Sequence, residues 1–370
     1  MKVSKELNAG AVVASETPLL ASLKARAHWQ WIRRYLQSHD IKPGTGWAAV
    51  MGTLTKKDDA AADLLSHLQS YYDSVRLAGN RYVQLFDLAE DISTAILPSL
   101  KNAIVPDSKF SESYPYLLDD KKLLTAPSDL TLCEVISANT NDYLLVFCSR
   151  RDYVEREVFE GSAATAITTA VSTLAGYDSI VGLKTKCFQA YDVVAIRPGL
   201  KRIEVLVDLP IGHPLDADRV EHALKLLFAT SLHLPGMKEI AQGQTPTNLF
   251  PAIDAIYKEK AGGILQFMKL RTSTGIIDSL ATVLEEDDLR VNKYHTSSAE
   301  SVNNEIELFQ LTTRMPLSMP EGQVLIKLAS TVRTLAAPPD SRWLHGMEIL
   351  ECASQVDIVR AINKVVSFLG

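Results

Sequence analysis

From residue 15 to about residue 103 apolar side chains recur at three- and four-residue intervals, a spacing that predicts helices. In the first, Leu20, Leu23, Ala27 and Trp31 form one stripe. Lys42-Pro43-Gly44-Thr45-Gly46 ends it, because Pro43 biases the preceding residue away from helical angles. A second predicted helix aligns Ala61, Leu64, Leu65, Leu68, Tyr72 and Val75, with Asp58, Asp59 and Asp63 near its start, where negative charge complements the helix dipole. After a turn at Ala78-Gly79-Asn80, the residues Tyr82, Leu85, Phe86, Ala89, Ile92, Ile96 and Leu100 predict a third helix, completing a small bundle.

Between Pro98 and Pro127 the periodicity fails, and beyond it the period becomes two. Leu130 to Ile136 and Tyr143 to Cys148 flank an Asn- and Asp-rich turn at residues 138–142 and predict a hairpin. Tyr153 to Phe159 sets Val154 and Val158 against Glu155 and Glu157, the alternation of a strand with one solvated face, and a helix is predicted from about Ala163 to Leu174. The same order returns as Tyr191 to Arg197, a turn at Pro198-Gly199-Leu200, Arg202 to Leu209, and a helix capped near Asp216 that runs to about Leu232. Shorter strands follow at Ile306 to Leu311, Val324 to Leu328 and Met347 to Cys352. The last helix starts at Ser354, with Asp357 as a capping partner three residues on. Paired strands joined by short turns predict an α+β protein, an N-terminal helical bundle followed by a mainly antiparallel sheet with packed helices. The expected division is a helical domain at 1–105, a connecting segment at 106–127 and an α+β domain at 128–370, with a subdivision near 240–262.

The 370 residues are 46% hydrophobic and 22% charged, which excludes a disordered chain and a small disulfide scaffold. No apolar run approaches the ~20 residues of a membrane-spanning helix, and Ala9 to Ala14 is too short for a signal peptide, so a cytoplasmic location without membrane association is expected. Cys133, Cys148, Cys187 and Cys352 lie far apart without CxxC spacing, the pattern of buried thiols in a reducing compartment.

The chemistry-bearing templates are missing. There is no G-x-x-x-x-G-K-[ST], no G-x-G-x-x-G and no H-E-x-x-H, and Ser162 lacks the frame of a nucleophile elbow, so it reads as a helix N-cap. His222 and His233 stand ~16 Å apart along one helix, too far to share an ion. Asp192 and Glu204 fall on the two strands of a predicted hairpin, where paired carboxylates would hold Mg²⁺ for a nuclease, but the lysine expected beside Glu204 is absent. No catalytic residue, metal site or cofactor is assigned.

A net charge of −6 argues against a protein that coats nucleic acid through its overall charge, and leaves local patches. One basic stretch carries Lys24, Arg26, Arg33 and Arg34 among Trp29, Trp31 and Tyr35, a mixture suited to phosphates and unpaired bases and equally to an ordinary packed helix. The other carries Lys184, Lys186, Arg197, Lys201 and Arg202, the last three around the turn at Pro198-Gly199. Arg150 and Arg151 are expected at a comparable turn. Three readings follow: a non-catalytic accessory or regulatory protein that binds nucleic acid through these patches, a protein-interaction subunit or homo-oligomer, and a Mg²⁺-dependent nuclease with an unrecognised motif. No motif carries a family resemblance.

Overall fold

The computed structural model describes residues 17–56, 58–88, 96–138, 142–174, 176–209, 211, 215–241, 243–259, 263–284, 286–303, 305–316 and 323–369. The short N-terminal apolar run and the middle of the turn expected at 138–142 lie outside them. Among the described residues the fold has twelve α-helices and one ten-stranded antiparallel sheet, so it is α+β with helices preceding the sheet. No helix among them is long and apolar enough to cross a membrane.

Four helices open the chain: α1 (Pro18–Arg26), α2 (Trp29–Ser38), α3 (Gly46–Leu54) and α4 (Asp59–Leu77). The stripe expected to be one helix is broken at Ala27, whose extended backbone (φ −144°, ψ 139°) separates α1 from α2 without any glycine or proline to announce it. Leu20, Leu23, Ile32, Leu36, Val50, Leu64, Leu68, Tyr72 and Val75 form the core of this bundle. Asp58 caps α4 by accepting from the Ala61 N–H at 2.9 Å.

Of the third helix expected over Tyr82 to Leu100, the first part is instead strand β1 (Gly79–Asp87) and the last part helix α5 (Ile96–Asn102), while Ala89 and Ile92 lie outside the described residues. The reason is burial on both sides. Val83 and Leu85 enter one core and Phe86 enters the other, which erases the alternation that marks a half-solvated strand. After α6 (Asp120–Leu123) come β2 (Thr131–Ala138), β3 (Asp142–Glu160), α7 (Gly161–Ala170), β4 (Ser179–Arg197), β5 (Arg202–Asp208), α8 (Ala217–Leu232), α9 (Met237–Ala241) and α10 (Phe250–Lys258). The chain ends through β6 (Ile264–Thr272), β7 (Ile277–Ala281), α11 (Lys293–Ser301), β8 (Ile306–Pro316), β9 (Gln323–Ala329), β10 (Met347–Cys352) and α12 (Gln355–Val366).

The strand order is β2-β3-β4-β5-β1-β10-β9-β8-β6-β7. β1 therefore lies inside the sheet, with Arg81 opposite Asp208 of β5 on one side and Ile349 of β10 on the other. One face packs Val83, Val146, Val193 and Leu206 with α10 and α12. The opposite face packs Phe147, Val194, Val205 and Val207 against α5, α8 and α9. The Ser354 cap on α12 is formed as the spacing predicts: its hydroxyl accepts from the Asp357 N–H at 3.2 Å and donates to the Asp357 carboxylate at 2.7 Å.

Candidate functional site

The nine basic residues singled out in the sequence divide into two groups. Lys24, Arg33 and Arg34 are exposed on α1 and α2, with the Lys24 ammonium 5.5 Å from the Trp47 ring centroid. Lys184 is exposed on β4, and Lys201 is exposed in the left-handed region at φ 49°. Lys186 pairs with Glu155 across the strands at 2.6 Å. Arg26 turns inward, where its Nη2 donates to both Asp208 carboxylate oxygens at 2.8 and 2.7 Å.

Arg197 and Arg202 converge at the Pro198 turn, but inward, which corrects the expectation of a cationic corner. Both are buried, and the Nε of each donates to one oxygen of Glu204 at 2.7 Å. Arg197 also binds Asp142 at 2.8 Å and Gln355 at 3.1 Å, while Arg202 reaches Asn363 at 2.7 Å. Glu204 sits fully buried in an inner strand, where an ionised carboxylate without counter-ions would be prohibitively costly.

Asp192 and Glu204 do not converge. The register places Ala195 opposite Glu204, so Glu204 shares the face of Tyr191 and Val193, and Asp192 points to the other. Asp192 binds Arg151 and accepts from the Asp208 N–H at 2.9 Å. Burial pushes the Asp192 carboxyl up, and Arg151 offsets only part of that rise. Burial also acts on Asp208, but the guanidinium groups of Arg26 and Arg81 beside it win and hold its carboxyl below the usual range.

These carboxylates finish the sheet where β4 and β5 separate. Their backbone pairing stops at Val193 opposite Leu206. Beyond that point the Asp208 side chain accepts the Tyr191 N–H at 2.7 Å, and the Asp192 side chain accepts the Asp208 N–H. Arg150 and Arg151 lie in no turn, since β3 runs through them without a break and pairs with β4 as far as Glu160 opposite Ser179.

What leaves the sheet here is a two-stranded arm. β2 pairs with β3 only up to Cys148, so from Asp152 opposite Cys187 to Glu160 opposite Ser179 the strands β3 and β4 pair with each other alone among the described residues. At ~3.3 Å per residue the arm is about 30 Å long, and α7 stands at its tip. One face holds Tyr153, Glu155, Phe159, Ile180 and Lys186, all partly covered. Gly182 opens room for the Phe159 ring, since a Cβ there would lie 3.0 Å from Cε2. The other face holds Val154, Val158, Val181 and Leu183, with exposures of 48, 49, 42 and 72%. The valine face is thus the more solvated one, the reverse of an ordinary half-buried strand. Alternation in the sequence distinguishes the two faces of such a ribbon, but which of them is covered depends on neighbours that alternation does not reveal.

Comparison with protein-family models gives no match, and comparison with curated proteins gives no significant match.

Proposed function

We propose that the chain is a non-catalytic interaction protein that self-associates through the β3–β4 arm. The observation that carries this reading is the exposed Val154, Val158, Val181 and Leu183 face on a ribbon that projects from the sheet. A two-stranded ribbon has little stability of its own, and clustered exposed apolar side chains on one mark a surface that gains free energy when covered.

The charges favour a second copy as the occupant. Along β3 this face reads Asp152, Val154, Arg156, Val158, Glu160. Laid antiparallel on itself with Val158 on the two-fold axis, Arg156 of each copy falls against Glu160 of the other; with Val154 on the axis it falls against Asp152. An axis at Arg156 would oppose like charges. The ribbon face spans about 30 by 10 Å, roughly 300 Å², against the ~800 Å² per partner of a standard interface, so the association is expected to be weak and concentration-dependent.

Sedimentation velocity across the micromolar range tests this. Dimerisation that Leu183→Asp removes, with unchanged circular dichroism because Leu183 is exposed, is the expected result. A strict monomer, or a dimer indifferent to Leu183→Asp and Val158→Asp, overturns it. Titration with duplex and single-stranded DNA and RNA at two salt concentrations examines the nucleic-acid reading separately. Arg26, Arg197 and Arg202 are committed to buried carboxylates, which weakens that reading.

A further inference from the structure

Where the arm leaves the sheet, Ser128 and Leu130 just ahead of β2 and the Ser149–Asp152 stretch of β3 face α8 across an open cavity of about 410 Å³. That volume lies within the ~300–1,000 Å³ of sites that hold small organic molecules. Leu215, Asp218, Arg219, His222, Ala223 and Leu226 line one wall at three- and four-residue spacing, a stripe along and just ahead of α8. Part of that stripe is not the buried one: Leu226 is 40% exposed, while Val220, Leu224 and Leu227 carry the packing against the sheet.

Three features of this cavity point to a ligand. Ser149 is 2% exposed, and its hydroxyl has no hydrogen-bond partner among the described residues. It belongs to the α8 face of β3 with Leu145 and Phe147, so the orphaned group is on the cavity's side of the sheet. A buried hydroxyl left unpaired is unfavourable, and a bound polar atom would relieve that cost. Arg219 is tethered at the rim by its Nη1 to the Asp152 carbonyl at 2.7 Å and by its Nε to Asp216 at 3.1 Å, which holds the guanidinium in place with further N–H donors to offer. Leu130, Leu215 and Leu226 provide an aliphatic wall between these polar points.

The geometry points to a site for a small organic acid, a carboxylate on an aliphatic body, with the head toward Ser149 and Arg219 and the chain along the leucines. The choice of head group follows from the donors that face it, since a carboxylate accepts from a hydroxyl and a guanidinium. Asp152 faces Arg150 at 3.5 Å, Arg151 is bonded to Asp192 and Arg219 to Asp216, and Arg219 keeps N–H donors beyond those its tethers use. Of the two lining carboxylates, Asp152 is paired with Arg150 and Asp218 stands exposed in the first turn of α8.

Titration of the full chain with octanoate, read by calorimetry and by the carboxyl carbon-13 resonance, tests the assignment. One saturable site is expected. Leu226→Glu is expected to weaken it at least ~10-fold by setting a negative charge against the chain. Ser149→Ala is expected to weaken it by ~3–10-fold, with unchanged circular dichroism in both variants. No saturable octanoate binding, octylamine binding as tightly as octanoate, or octanoate affinity unchanged in Leu226→Glu would each overturn it. Self-association through the arm is read in a different assay, so either result stands without the other.

Discussion

Arg81 is fully buried in the middle of the sheet, and its surroundings account for how a charge survives there. Its guanidinium donates to the backbone carbonyls of Ala78, Tyr191 and Arg76 and stands 3.3 Å from an Asp208 oxygen. Replacing it with methionine leaves three carbonyls unpaired and Asp208 with Arg26 as its remaining cation. Arg81→Met is therefore expected to lower stability by about 3–5 kcal/mol, read as a lower urea midpoint at unchanged slope. His295 gives a pH dependence. It is buried, its Nε2 lies 2.8 Å from the Tyr257 hydroxyl, and burial lowers its pKa below the ordinary value. The folded state resists the proton that the unfolded chain accepts near pH ~6.5, so stability from this group is present above that pH and falls as the pH drops through and below it. Thermal melts between pH 7 and 5 should show a decline that His295→Gln flattens; a parallel decline in the variant would assign the effect elsewhere. Neither residue was legible as a structural centre in the sequence, because their partners lie far along the chain: Arg81 meets Tyr191 and Asp208, and His295 meets Tyr257.

Elements were legible where local chemistry decides them. The last helix was readable because Ser354 and Asp357 satisfy one another within a single turn, and the hairpin around Pro198-Gly199-Leu200 because the turn residues state it. Ser354→Ala is expected to cost about 1 kcal/mol, seen as a lower melting temperature with the rest of the sheet unaltered. A variant melting at the wild-type temperature would mean that the packing of Ile358 and Ile362 alone holds α12 in place. Elements were illegible where tertiary contacts decide them. The polar run Ser149 to Arg151 resembles a turn, yet β3 stays extended through it because Arg151 finds Asp192 on the neighbouring strand. The candidate arm was hidden for the same reason. Its β3 strand reads in the sequence as two short pieces, Tyr143 to Cys148 and Tyr153 to Phe159, its β4 strand as Tyr191 to Arg197, and an alternating sequence carries no statement of what covers it.

At the scale of the molecule, the bundle and the sheet are joined by buried polar contacts as well as by packing. Arg26 of α1 reaches Asp208 of β5, and the hydroxyls of Tyr72 on α4 and Tyr191 on β4 both donate to the Pro115 carbonyl, at 2.7 and 2.9 Å. The order of the strands adds a constraint in time. β1, made early, lies between β5 and β10, both of which come far later in the chain. During synthesis, both hydrogen-bonding edges of β1 must wait for segments that leave the ribosome much later, β5 first and β10 later still. Distant pairings of this kind slow folding and leave apolar strands open meanwhile. A nascent chain halted before Met347 would hold an unclosed sheet, making it a natural client for chaperones and proteases.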